Sequence, residues 1–192
     1  MEQLRDKILS YTKVSDEELT HFFQFFKPLS FKKGDFIQKE GQYCRHFYFV
    51  KKGCLSVYTI YEGQERVVDF ITEGNFFTDF YSYLRNSPSL CFIKALENTE
   101  VSIISKEDFD KVYDRSQAIE RFNRKYLEEA FLKEIIKSTN KNALSNEERY
   151  LRLLRKRPSL SQRVPQYLIA SYLGVTPVGL SKIRKRLSRR QS

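Results

Sequence analysis

The residues best suited to do chemistry lie in Gln166–Lys185, which reads QYLIASYLGVTPVGLSKIRK. Gln166–Leu173 has the character of a helix, and Gly174 suits its C-cap, where glycine takes the left-handed conformation without strain. Thr176 is a natural N-cap, and Pro177 stands at the first helical position, where its missing N–H is no loss. Leu180, Ile183 and Leu187 recur at helical spacing and must face inward. Ala170 is small enough to let two helices approach closely. A small residue, a glycine four later and apolar residues six and nine after that is the spacing of a helix-turn-helix. The second helix then turns Val178, Gly179, Ser181, Lys182, Lys185, Arg186, Arg189 and Arg190 outward, with Arg184 on the flank. Together with Thr176, these are the candidate contacts to double-stranded DNA. Small residues at the start of the helix admit base edges, and cations toward its end meet phosphates. A solvated basic helix that merely complements its own dipole is the plainer alternative.

Charge divides the chain in the same way. Its 192 residues include 34 Lys+Arg and 24 Asp+Glu, a net charge of +10. Residues 141–192 hold 13 Lys+Arg against Glu147 and Glu148 alone, a net of +11, and residues 1–140 come to −1. Such a surplus points to a polyanion, either nucleic acid or an acidic membrane surface. The basic stretch is also rich in Leu, Ile and Val, so it reads as a folded module and not as a solvated tail. All 16 Phe lie at or before Phe131, in the near-neutral part. This aromatic content excludes a disordered chain. The longest uncharged run, Val164–Ser181, contains Pro165, Pro177, Gly174 and Gly179 and is no membrane span. The N-terminal MEQLRDKILS has acids and no apolar core, which excludes a secretory signal. Cys44, Cys54 and Cys91 form no CxxC pair, so free thiols in a reducing cytoplasm are expected.

Other elements must position this surface. Residues 1–26 read as helical, with Ser15 and Glu18 spaced as a capping box; His21 reads as an exposed helix residue. From Leu29 to Ile104, glycines about every ten residues separate short β-branched and aromatic runs: His46–Val50, Leu55–Tyr61, Val67–Ile71 and Val101–Ile104. That rhythm predicts an antiparallel barrel or sandwich, with Glu62-Gly63-Gln64 at a hairpin tip. Ser105 and Asp108 suit another capped helix start. Gln117–Ser138 lacks Gly and Pro and carries one apolar line through Ile119, Phe122, Tyr126 and Ala130. Leu127, Phe131 and Ile135 make a second line. One line is expected to pack inward and the other against an identical helix, giving a homodimer. Residues 138–148 read as a polar connection, after which Ser145 and Glu148 open a helix that Pro158 stops.

In these residues the chain resembles the Crp/Fnr family of bacterial transcription regulators. The β-roll resemblance rests on Lys33–Ile37, Glu40-Gly41, Phe47–Gly53 and Gly74–Phe77. Glu148–Tyr150, Arg163–Pro165 and Leu173–Pro177 are similar to ligand-unassigned members from Bacteroidetes-type bacteria. The resemblance implies an α+β fold. A jelly-roll-like antiparallel β-roll with flanking helices would occupy residues 1–114, a long dimerisation helix 115–138, and a winged helix-turn-helix 139–192. It implies a cytoplasmic, homodimeric, DNA-binding regulator that is not an enzyme, uses no cofactor and meets no membrane. As an activator it would contact RNA polymerase.

The departures from the family bear on the effector. Cyclic-nucleotide binders carry a Glu for the ribose and an Arg for the phosphate. Aligned from Gly74, the Glu position is Asp79, the following glycine is Tyr81, and the Arg position falls near Ser89. A buried phosphate without a cation is poorly stabilised, so cAMP is not expected as the effector. Phe77, Asp79, Phe80, Tyr81, Tyr83 and Ser89 are the candidate lining of a pocket for another small molecule, or simply its filling. An iron–sulfur cluster needs four ligands and there are three cysteines; His46 and Cys44 read as strand fillers and not as haem ligands. Two other functions compete: an effector-free DNA-binding dimer whose β-roll is a scaffold, and a cupin-like barrel enzyme. The latter needs clustered metal ligands, and the chain has only His21 and His46.

Overall fold

A computed structural model describes residues 1–191. The described chain falls into two compact units. One comprises Met1–Val57 with Phe70–Lys133, and the other Tyr58–Asp69 with the chain from Glu134 onward.

The sequence opens with α1 (Glu2–Leu9) and α2 (Asp16–Gln24), so the helical reading of residues 1–26 becomes two helices. Ser15 and Glu18 form the capping box of α2 in both directions. His21 is half-buried and edge-on to Phe25, a correction to its expected exposure. Then follow β1 (Lys27–Phe31), β2 (Phe36–Gln38), β3 (His46–Lys52), β4 (Cys54–Tyr61), β5 (Gln64–Thr72) and β6 (Phe76–Phe77). Next come α3 (Phe80–Arg85), β7 (Phe92–Ala95), β8 (Thr99–Ser105), α4 (Lys106–Tyr113) and α5 (Gln117–Ala143). The strands make two sheets, ordered β1-β8-β3-β6 and β2-β7-β4-β5.

Strand β3 shows why aromatic runs dominate this region. Side chains alternate faces along a strand, and here both faces are covered. Phe47 and Phe49 point to a cluster with Leu4, Ile8, Phe22, Phe109 and Phe122 from the surrounding helices. Tyr48 and Val50 point the other way, into a second cluster with Leu55, Phe77, Ile93 and Val101. A strand buried on both sides reads as a continuous apolar run, as HFYFV does. The β4–β5 connection is the expected tight hairpin: Glu62 and Gly63 both take positive φ, +50° and +71°, as a two-residue turn matched to strand twist requires.

Helix α5 differs from expectation at its end. It continues to Ala143, through the stretch expected to be a polar connection. Ser, Thr and Asn weaken a helix only modestly, and no Gly or Pro intervenes. The next stop signal is the capping box of Ser145 and Glu148, which opens α6 (Asn146–Lys156). After it come α7 (Leu160–Arg163), α8 (Gln166–Leu173) and α9 (Pro177–Gln191). The wing implied by the resemblance is not formed: among the described residues no strand follows Ser105. Between Pro158 and Pro165 the chain makes α7, seated by buried Leu160 and Val164. No helix of the described residues is long and apolar enough to cross a membrane.

Candidate functional site

The second unit is built on a small apolar core of Tyr150, Leu153, Leu160, Val164, Leu168, Ile169, Ala170, Leu173, Leu180 and Ile183, all buried. Helix α8 ends at Gly174, whose φ of +68° is left-handed. The Val175 N–H donates to the Ala170 carbonyl at 2.9 Å and the Gly174 N–H to Ser171 at 2.9 Å, the paired bonds of a Schellman motif. Thr176 then caps α9, its hydroxyl accepting from the Gly179 N–H at 3.0 Å. Two bonded caps separated by one residue fix the angle between the helices. Leu180 and Ile183 turn inward, and Leu187 is half-buried. Thr176, Val178, Ser181, Lys182, Lys185, Arg186 and Arg189 are exposed, whereas Gly179 is half-buried against Thr176. The Arg190 side chain lies outside those described. The predicted DNA-contact residues thus share one surface of one helix. A cleft of about 1020 Å³ runs along it, between the first turn of α6 and the flank of α9 bearing Gly179, Lys182, Arg186 and Arg189.

Two polar features of this unit escape sequence reading. Arg186 pairs with Glu147 at 3.5 Å. The Tyr58–Asp69 hairpin is bonded into the helices. Asp69, with 23% of its side chain exposed, accepts from Lys137 at 3.1 Å and from Arg157 at 2.7 Å. The Val67 N–H donates to the Ser171 hydroxyl at 3.0 Å, and that hydroxyl donates to the Glu65 carbonyl at 3.0 Å. Burial works against the Lys137 charge, but Asp69 and Glu134 outweigh it and hold the ammonium above its ordinary pKa. The one available signal was a lone acid inside the apolar run Val67–Ile71.

The six candidate effector residues, all in the first unit, do not converge on one cavity. Phe77 is buried between the sheets, stacked on Tyr48 with ring centroids 4.7 Å apart. Phe80 and Tyr83 lie edge-on to Phe47, which faces the other way. Tyr81 is exposed. Asp79 is buried as the N-cap of α3: one carboxylate oxygen accepts from the Ser82 N–H at 3.2 Å, and the other accepts from the Cys91 thiol at 3.8 Å. Ser89, also buried, donates to the Cys91 carbonyl and accepts from the Cys91 N–H. Burial, with the Asp79 charge behind it, pushes the Cys91 thiol up to about 11, so it stays protonated at neutral pH. All three cysteines are free thiols.

The segment from Pro28 to Ser116, which holds the described strands apart from Lys27 of β1, with α3 and α4, matches a family of known domains. Residues 28–116 match the family of the cyclic nucleotide-binding domain. This domain ends one residue before α5 begins, so the long helix starts where the family match stops. Solved structures extend the likeness beyond the cyclic nucleotide-binding domain. The c-di-GMP responsive global regulator CLP of Xanthomonas campestris superposes with a TM-score of 0.70 at 15% identity, covering 92% of this chain and 93% of that one. FixK2 from Bradyrhizobium japonicum gives 0.68 at 18% identity over 86% of each chain. A CooA mutant from Carboxydothermus hydrogenoformans gives 0.68 at 18%, covering 96% of this chain and 84% of that one. These structural neighbours are Crp/Fnr-family regulators, and the likeness is one of fold. Comparison with curated proteins gives no match.

Proposed function

We propose that this chain is a sequence-specific, DNA-binding transcription regulator of the Crp/Fnr type, acting as a cytoplasmic homodimer, and that its β-roll does not take cAMP as effector. One observation carries the DNA reading. The two helices α8 and α9 are locked by adjoining caps, and α9 presents Ser181, Lys182, Lys185, Arg186 and Arg189 to solvent from a segment of net charge +11. Pro177 and Val178 at its start can touch a thymine methyl but form no bidentate hydrogen bonds, so Ser181 and Lys182 are the polar base readers.

Gel shifts with selected genomic fragments test this. Lys182→Ala is expected to lose about 1–3 kcal/mol of binding and relax preference at one base pair. Arg189→Ala should weaken all duplexes alike and flatten the salt dependence by about one unit. Unchanged affinity in both variants rules out α9 as the reading helix. Bound sites should carry half-sites about one helical turn apart, as a two-fold dimer requires.

The effector reading rests on how the polar groups are used. Asp79 spends its carboxylate on Ser82 and Cys91, and Ser89 spends its hydroxyl on the Cys91 backbone. The Tyr48–Phe77 stack occupies the space between the sheets. Isothermal calorimetry with cAMP should show no micromolar binding; a clear heat of binding at that concentration rules this reading out. The same filled interior favours a β-roll that serves the dimer as a scaffold over one that houses a small molecule.

A further inference from the structure

We propose that Glu147 is a built-in stand-in for a DNA phosphate, holding Arg186 at the wall of the cleft and subtracting its charge from the surface that meets DNA. The inference rests on the DNA-binding reading above and deepens it.

Residues 141–192 contain only two acids, and both stand in the first turn of α6. Glu148 is committed locally. Its carboxylate accepts from the Ser145 hydroxyl at 2.7 Å and the Ser145 N–H at 2.8 Å, and these bonds hold it below the usual carboxylate range. Glu147 does different work. Its side chain keeps 16% of its exposure and approaches Arg186 Nη2 at 3.5 Å, while Arg186 remains 61% exposed. The N-terminal end of α6 favours the Glu147 charge. Arg186 shares its face of α9 with Gly179, Lys182 and Arg189, at helical spacing along the cleft. Its guanidinium is therefore tied on one side and open to an incoming polyanion on the other.

An ion pair this exposed holds weakly in water, at about 0.2–1 kcal/mol, so Glu147 withholds Arg186 from a phosphate by about that margin. Glu147 thus lowers affinity for every duplex alike, whatever its sequence. Base reading by Ser181 and Lys182 stands apart from this effect.

The test uses the full chain and a random-sequence DNA duplex, with anisotropy titrations over a series of salt concentrations. Glu147→Gln is expected to bind roughly two- to fivefold tighter, the fold-change that corresponds to one exposed ion pair. Its log affinity against log salt should steepen by about 0.9, the increment for one more neutralised phosphate. In an Arg186→Ala background most of that gain should vanish. Glu147→Gln binding as wild type does, or showing the same gain without Arg186, overturns the proposal; the second result would mean that net charge alone is at work. The slope does not depend on the fraction of folded protein, so a partly destabilised variant still reports. A wild-type chain that binds no duplex overturns the DNA-binding reading and this inference with it, whereas wild-type binding without a Glu147→Gln gain overturns this inference alone.

Discussion

Gly53→Ala is expected to destabilise the fold severely. Gly53 has φ of +111°, where an L side chain is strained, and an added Cβ would lie 2.3 Å from Thr99 Oγ1 and 2.7 Å from Thr99 Cα. The second contact is with backbone, so no rotamer change relieves it. Nor can Thr99 retreat. It is buried, and it opens β8, which pairs with β1 at Phe31 and lies next to the Lys52–Glu100 pair with β3. The Gly53 N–H is itself held by Glu73 at 2.7 Å. Backbone strain of about 1–3 kcal/mol adds to about 1–3 kcal/mol or more of overpacking. The sum is a large share of a stability of about 5–15 kcal/mol. Gly63→Ala is the control. Its φ is also positive, at +71°, but nothing lies within 4 Å of the added carbon, so it should lose only about 1–2 kcal/mol. Urea unfolding of the two variants separates clash from strain. A Gly53→Ala chain that unfolds at the Gly63→Ala midpoint would show that the clash relaxes.

The two faces of α5 should give opposite results when altered. Ile119, Phe122 and Tyr126, offered by the sequence for the dimer helix, are buried in their own chain's core and form the line that packs inward. Phe122 meets the rings of Tyr11 and Phe76 at 5.7 Å each, and the Tyr126 hydroxyl donates to the Phe76 carbonyl at 3.1 Å. Ala130 is half-buried. The outer line is Phe131, Leu132, Ile135 and Ile136, with Phe131 68% and Ile135 46% exposed. Phe122→Ala is therefore expected to cost about 3–5 kcal/mol of stability and leave the sedimenting mass unchanged at low denaturant. Phe131→Glu with Ile135→Glu should do the reverse. Fully burying each large apolar side chain is worth about 1.5–3 kcal/mol, and a carboxylate in its place opposes association. The double variant should sediment as a monomer, keep its helical circular dichroism and lose tight binding to paired half-sites. A double variant that still sediments as a dimer places the interface elsewhere.

Much of this arrangement is legible from local rules. The capping boxes of Ser15 and Ser145, the Glu62-Gly63 hairpin and the Gly174–Thr176 turn each depend on residues a few positions apart, and each forms. What stayed hidden depends on residues far apart in sequence. The pairing of Asp69 with Arg157 spans 88 positions. The split between the two lines of α5 depends on which face the β-roll covers. Helix α3 is six residues held by Asp79 and Ser82, too short for periodicity to register. The wing failed for another reason: it came from likeness alone, and among the described residues no strand follows Ser105.

The hairpin's bonds to the helices also set an order of events during synthesis. Val67 leaves the ribosome 104 residues ahead of Ser171, its hydrogen-bond partner. At a translation rate of about 5–20 residues per second, that gap lasts about 5–20 seconds. Throughout that interval the Val67 N–H waits for a partner not yet made, while the Asp69 carboxylate waits 68 residues for Lys137 and 88 for Arg157. The second unit, whose first segment is Tyr58–Asp69, can therefore close only when almost the whole polypeptide is complete.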